Sequence, residues 1–213
     1  PAAPVEVGFH DTPGNAQDVA VDRHIVYVAD YGYGLRVIDV STPTAPAEVG
    51  FHNTPGSAQD VAVAGSIVYV ADGDVGLRVV DVSTPTEPLE VGFYNTPGDA
   101  QGIAVAGSIV YIADWDAGLR IVDVSSPTAP VEIGFYDTPG CASDVVASNN
   151  MAYVVDWHRG LRVVDVSSPT APVEVAFYDA NALYAFSAAV VGSTIYVVDW
   201  DGGFFVLRYT RSE

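Results

Sequence analysis

The chain contains no lysine and a single cysteine, Cys141. One cysteine excludes an internal disulfide and a cysteine-built metal cage. Eight arginines stand against 27 acidic residues, for a formal net charge of −19. A surface of that sign repels phosphate backbones and anionic headgroups. Nucleic acid and plain membrane surfaces are therefore poor partners and neither is expected, while cations, neutral sugars and basic proteins remain compatible. Apolar runs of the ~20 residues needed to span a bilayer are missing too, so no membrane insertion is expected. No signal-like segment opens the chain, which reads as a mature form or an excised domain. With 213 residues, 49% of them apolar, it is long enough for a single domain over 1–213 with a substantial core.

Repetition is what the sequence has in abundance. Pro4, Pro46, Pro88, Pro130 and Pro172 recur every 42 residues, as do Phe9, Phe51, Phe93, Phe135 and Phe177. Tyr27, Tyr69, Tyr111 and Tyr153 keep the same step, but their equivalent in unit five is Tyr196, so the fifth unit holds one extra residue. The units fall near 4–45, 46–87, 88–129, 130–171 and 172–213. Within the first, QDVAV at 17–21, IVYVA at 25–29, LRVIDV at 35–40 and AEVGF at 47–51 read as four strands. They are rich in Val, Ile and Tyr and are separated by Gly, Pro, Asn and Asp clusters. IVYVA is apolar at consecutive positions, the mark of a strand buried on both faces. Four strands in about 40 residues, repeated, predict an all-β, five-bladed β-propeller of 42-residue blades. The chain opens on a fourth-strand pattern, PVEVGF at 4–9, and closes on a third-strand pattern, GFFVLRY at 203–209. The expectation is that strand 4–9 completes the last blade and closes the ring.

The segment GLRVVDVSTP, with relatives at 34–43, 118–127 and 160–169, resembles the LVIVD-repeat family of β-propeller proteins. The resemblance is close over four units and loose over the fifth. It implies a propeller in an exported or cell-surface protein, and brings no established activity or catalytic residue.

Arg36, Arg78, Arg120 and Arg162 lie inside the third strand, where a buried cation needs a partner. Unit five loses both this arginine and the aspartate three residues on, so the expected partners are Asp39, Asp81, Asp123 and Asp165. The glutamates Glu6, Glu48, Glu90, Glu132 and Glu174 read as charges that blunt an exposed sheet edge. Asp30, Asp72, Asp114, Asp156 and Asp199 each begin a four-residue turn closed by glycine. The favoured reading is a side chain accepting backbone N–H groups of its own turn. The alternative is calcium, since Asp72 with Asp74, Asp114 with Asp116 and Asp199 with Asp201 give fragments of a calcium loop. Its third carboxylate and terminal glutamate are absent.

The units differ chiefly in two loops, the turn from the second to the third strand and the lead-in to the first, which emerge on one rim. That rim gathers Tyr31, Tyr33, Trp115, Trp157, His158, Trp200 and Tyr184. Aromatic rings beside carboxylates and amides suit stacking on a sugar, and they equally suit a protein loop. Against this stands plain packing of each Trp into a seam between blades. The leading expectation is a non-catalytic recognition module, secreted or at the cell surface, with a glycan or protein ligand. The alternatives are a structural or assembly propeller and a glycoside hydrolase using Asp18, Asp60 and Asp144 as funnel carboxylates. The last suffers because such hydrolases need two carboxylates in unlike environments, which near-identical repeats do not readily supply.

Overall fold

β-Branched and aromatic residues form the strands, and residues that tolerate positive φ form the turns between them. A computed structural model describes residues 3–179 and 184–210. Unit one folds as an antiparallel meander of β1 (Asp18–Asp22), β2 (Ile25–Ala29), β3 (Leu35–Asp39) and β4 (Ala47–His52). The same meander recurs from β5 (Asp60–Ala64) to β8 (Leu89–Tyr94), from β9 (Gly102–Ala106) to β12 (Val131–Tyr136), and from β13 (Asp144–Ser148) to β16 (Val173–Tyr178). The fifth sheet has three strands, β17 (Ala185–Val191), β18 (Thr194–Asp199) and β19 (Gly203–Arg208). Gly65, Gly107 and Gly192 turn the first hairpin of their units with φ near 63°, where unit four uses Asn149 and Asn150.

The blades are held by four apolar cores, one at each seam. Tyr27, Leu35, Val61 and Val68 join blades one and two, and equivalent residues serve the next three seams. A polar latch runs beside them. Asp60 accepts the N–H of Val61 at its own strand start and that of Ile103 in the next blade, both at 2.7 Å. Asp144 does the same with Val145 at 2.7 Å and Ala188 at 2.8 Å. Blade three has Gly102 in this place because a Cβ there would lie 2.7 Å from the Asp144 Cα.

No fifth core joins blade five to blade one among the described residues. Val19 is 56% exposed, whereas its equivalents Val61, Ile103 and Val145 are 5%, 6% and 3% exposed. On the other flank Val198, Phe204 and Val206 are exposed. Residues 4–9 carry no strand pairing, and the outer edge of β19 has no fourth strand.

The extra residue of unit five falls ahead of β17: Tyr178 follows Tyr136 by 42 residues, but Ala185 follows Ala142, its equivalent in the bridges between blades, by 43. The β17–β18 register passes from Ala185↔Asp199 to Ser187↔Val198, so Phe186 is the bulge. Each complete blade has its own bulge in the outer strand. In blade one, Val37 pairs with Gly50 but Ile38 pairs with Glu48, which turns Glu48 to the face of Phe51.

Candidate recognition site at the shared cavity

That bulge bears on the arginines. The Arg36 guanidinium lies 4.9 Å from the Phe51 ring centroid, with Nη1 at 4.0 Å from Glu48 and Nε at 3.8 Å from Asp30. Nη2 donates to the Tyr33 carbonyl and to Asn53 Oδ1. Arg78 repeats the arrangement with Asp72, Glu90 and Phe93, and Arg120 with Asp114, Glu132 and Phe135. Arg162 takes Asp156, Asp179 and Phe177. The expected pairing with Asp39 and its equivalents is therefore wrong. Asp39, Asp81, Asp123 and Asp165 instead accept the N–H two residues on and hold the turn after the third strand. The Ser41 hydroxyl and N–H hold Asp39 below the usual carboxylate range. The outer-strand glutamates also do more than blunt an edge.

The Asp30 series is corrected in one respect. Asp30 accepts from the Thr12 hydroxyl at 2.7 Å and the Gly14 N–H at 2.8 Å, so its donors come from the Thr-Pro-Gly lead-in rather than from its own turn. Gly56, Gly98 and Gly140 donate likewise to Asp72, Asp114 and Asp156. Asp199 alone follows the expectation, accepting the N–H groups of Asp201 and Gly202. Burial raises Asp72, opposed by Thr54, Gly56 and Arg78. The calcium reading meets these facts badly. Asp72, Asp114 and Asp199 are buried and committed to protein donors, while Asp74, Asp116 and Asp201 are exposed. Among the described residues no group of three His, Cys, Asp or Glu is placed to hold a metal ion.

The turns after the second strand reach to the following blade. Tyr31, Gly73 and Trp115 bridge Ala58, Ala100 and Ala142, and Trp157 bridges Ala185. These bridges require positive φ at Tyr31, Trp115 and Trp157, between 37° and 48°. The backbone at Trp115 and Trp157 is thus a seam element, and the rings project from it. Trp115 and Trp157 are half-buried, with ring centroids 5.7 Å apart. Tyr184 lies 5.8 Å from Trp157 and 4.7 Å from His158. Trp200 is 72% exposed and meets Phe186 edge to face at 5.9 Å. Tyr31 and Tyr33 are exposed and, among the described residues, make no ring contact with that cluster, although Arg36 lies 5.6 Å from the Tyr33 ring.

The first strands of all five blades border one cavity of about 350 Å³. Trp115, Trp157 and Phe186 line it together with Asp18, Asp60 and Asp144 and a set of amides and hydroxyls at Gln17, Gln59, Gln101, Ser143 and Ser187. The sequence reading found the aromatic rings and the carboxylates. It missed the glutamines, although their repetition immediately ahead of the first strands was visible, and it missed Phe186, which stands in unit five where the other blades have Gln17, Gln59, Gln101 and Ser143. Burial and the adjoining Asp18 carboxyl push Asp60 well above the ordinary range. Burial also raises Asp144, opposed by Ala188 and Ser187.

Four-stranded meanders, repeated around a shared cavity, define a propeller-like β-repeat protein. The LVIVD repeat model matches residues 13–54, 55–96, 97–138 and 139–180, and the chain belongs to that family. Among solved structures it is similar to the computationally designed Ika8 protein, with a TM-score of 0.73 at 13% identity over 91% of this chain and 58% of that one. It is also similar to the designed Ika4 protein, with a TM-score of 0.61 at 13% identity over 76% of this chain and 98% of that one. The chain thus spans little more than half the length of the first of these. No curated protein matches it.

Proposed function

We propose that the protein is a non-catalytic recognition module, exported or on a cell surface, that binds a glycan at the mouth of the shared cavity. The observation that carries this is the contact network of Trp115, Trp157, His158 and Tyr184, two of whose rings border a concave space. Sites of roughly 300–1,000 Å³ with aromatic walls and a few polar groups suit small ligands. A protein surface prefers a broader and flatter patch, so the concave site favours a sugar over a protein loop. The carboxylates argue against hydrolysis. Asp60 and Asp144 are spent on the inter-blade latch, with two backbone N–H groups each. The test is tryptophan emission during titration with a panel of oligosaccharides. We expect a ligand-dependent shift that Trp157→Ala abolishes and Trp200→Ala largely spares. A panel that leaves the emission unchanged would remove the glycan reading.

A second feature belongs with this reading. Segment 4–9 supplies the missing fourth strand of blade five and closes a five-bladed ring, so that 1–213 forms one domain. A Cβ added to Gly8 would lie 2.2 Å from the Pro43 carbonyl oxygen, the same distance as from Gly50 to Pro85. Gly8 thus sits against blade one as Gly50 sits against blade two, which supports this closure. Blade five is the sheet that lacks its outer strand.

A further inference from the structure

The cavity is lopsided in charge. Its lining includes the carboxyls of Asp18, Asp60 and Asp144 and no arginine. The nearby Arg159 is exposed on the Trp157 loop and is not part of the lining. Its polar capacity is also unspent. The side-chain amides of Gln59 and Gln101 make no hydrogen bond to any described residue, and that of Gln17 makes one, to the Asn15 carbonyl at 3.1 Å. These amides can donate to and accept from hydroxyls, which carboxylates alone cannot do. Two tilted indole rings, Trp115 and Trp157, supply an aromatic wall whose π faces attract both C–H groups and cations. A cleft lined by one sign of charge concentrates ligands of the other, and the −19 net charge adds to that field.

We propose that the ligand is an amino sugar with a free, protonated amine, its ring against Trp115 and Trp157, its hydroxyls on the glutamine amides and its ammonium among Asp18, Asp60 and Asp144. This rests on the glycan reading and narrows it. A neutral sugar uses the rings and amides but leaves the crowded carboxylates without a counter-charge. An anionic sugar is repelled. Acetylating the amine removes the charge while keeping the sugar frame, which makes the acetylated sugar the fitting control.

The test compares a glucosamine trimer with an N-acetylglucosamine trimer by tryptophan emission and calorimetry, at near-neutral pH, where the free amine is still in part protonated and the raised Asp60 and Asp144 carboxyls have lost more of their protons than in acid. We expect the free amine to bind at least about tenfold tighter. In Asp18→Asn that preference falls severalfold, with the acetylated trimer bound as before. Asp18 suits the substitution because its bond to the Val61 N–H, at 3.3 Å, is the longest of the latch bonds, and its other inter-blade contact, with the Asp60 carboxyl, is one an asparagine can also make. Equal binding of the two trimers would overturn the amine preference and leave the glycan reading standing. Binding of neither would overturn both. An unchanged preference in Asp18→Asn, with an unchanged melting temperature, would move the ammonium out of the cavity and sink the assignment.

Discussion

Arg78 shows how much one repeated side chain carries. Its guanidinium faces Asp72 at 3.7 Å and Glu90 at 4.0 Å and covers the Phe93 ring, with little exposure to water. Removing one partner of a buried pair leaves the other charged and unsolvated, so Arg78→Met should destabilise by about 3 kcal/mol. A urea unfolding midpoint reads this directly, and a loss below about 1 kcal/mol would mean the pair is solvated as a surface bridge is. Asp81→Asn should leave the midpoint near that of the parent, since Asp81 holds an exposed turn. The sequence suggested the reverse partnership for a reason that can be named. Unit five loses its arginine and the Asp39 equivalent together, while Asp199 persists. Asp199 persists because it has its own donors in Asp201 and Gly202, so its partnership with arginine left no trace in the repeats. Gly102 is a second residue-scale case. Gly102→Ala puts a methyl against the Asp144 backbone and should cost about 1–3 kcal/mol, while Gly32→Ala, with open space around it, should be close to neutral by the same measurement.

At the scale of the element, the strands were almost wholly legible. Their period, their turn residues and the two-sided apolarity of IVYVA required no tertiary knowledge, and the expected bounds differ from the observed ones by a residue. The bulges were not legible. An extra residue in unit five shows in the spacing of the tyrosines, but nothing local to the sequence says that the β17–β18 ladder skips Phe186. Phe186 sets an aromatic ring in the cavity where the other blades have Gln17, Gln59, Gln101 and Ser143. The closing strand is the element that can be tested most simply. In blade one Arg36 pairs with Phe51, and the equivalent residues at the closure are Phe205 and Phe9. With Cys141 replaced by serine, the double variant Phe9→Cys, Phe205→Cys should form a disulfide within a monomer, seen by non-reducing electrophoresis. Crosslinks found only between chains would show that segment 4–9 completes the blade of another molecule.

For the whole molecule, charge sets the response to pH. Asp60 and Asp144 hold raised values, Asp60 through burial and Asp18, Asp144 through burial. Between the ordinary carboxylate range, about 4, and those raised values the native state binds more protons than the unfolded chain. Their contribution to stability therefore falls as pH rises through that window, and self-repulsion of the acidic surface acts in the same direction. Asp39, Asp81 and Asp123 have lowered values through their serine donors. The stability they contribute is present above the ordinary range and is lost as pH falls through the lowered values. The melting temperature should accordingly be higher at about pH 5.5 than at about pH 8. Asp60→Asn should flatten that slope, even though Asn offers one fewer acceptor oxygen to the two N–H groups. A slope unchanged in the variant would show that Asp60 titrates normally.

The kinship of the outer strands also has a bearing on how the chain reaches its native form. VEVGF at 5–9 differs little from AEVGF at 47–51, LEVGF at 89–93 or VEIGF at 131–135. Any of these can lie against a third strand of any unit with much the same register and side-chain fit. A refolding chain can therefore commit to a pairing that is locally faultless yet one repeat out of step, and leaving that trap requires unzipping a whole hairpin. The fifth unit, with its bulged first strand and Phe205 in place of arginine, is the mark that tells the chain where the count ends.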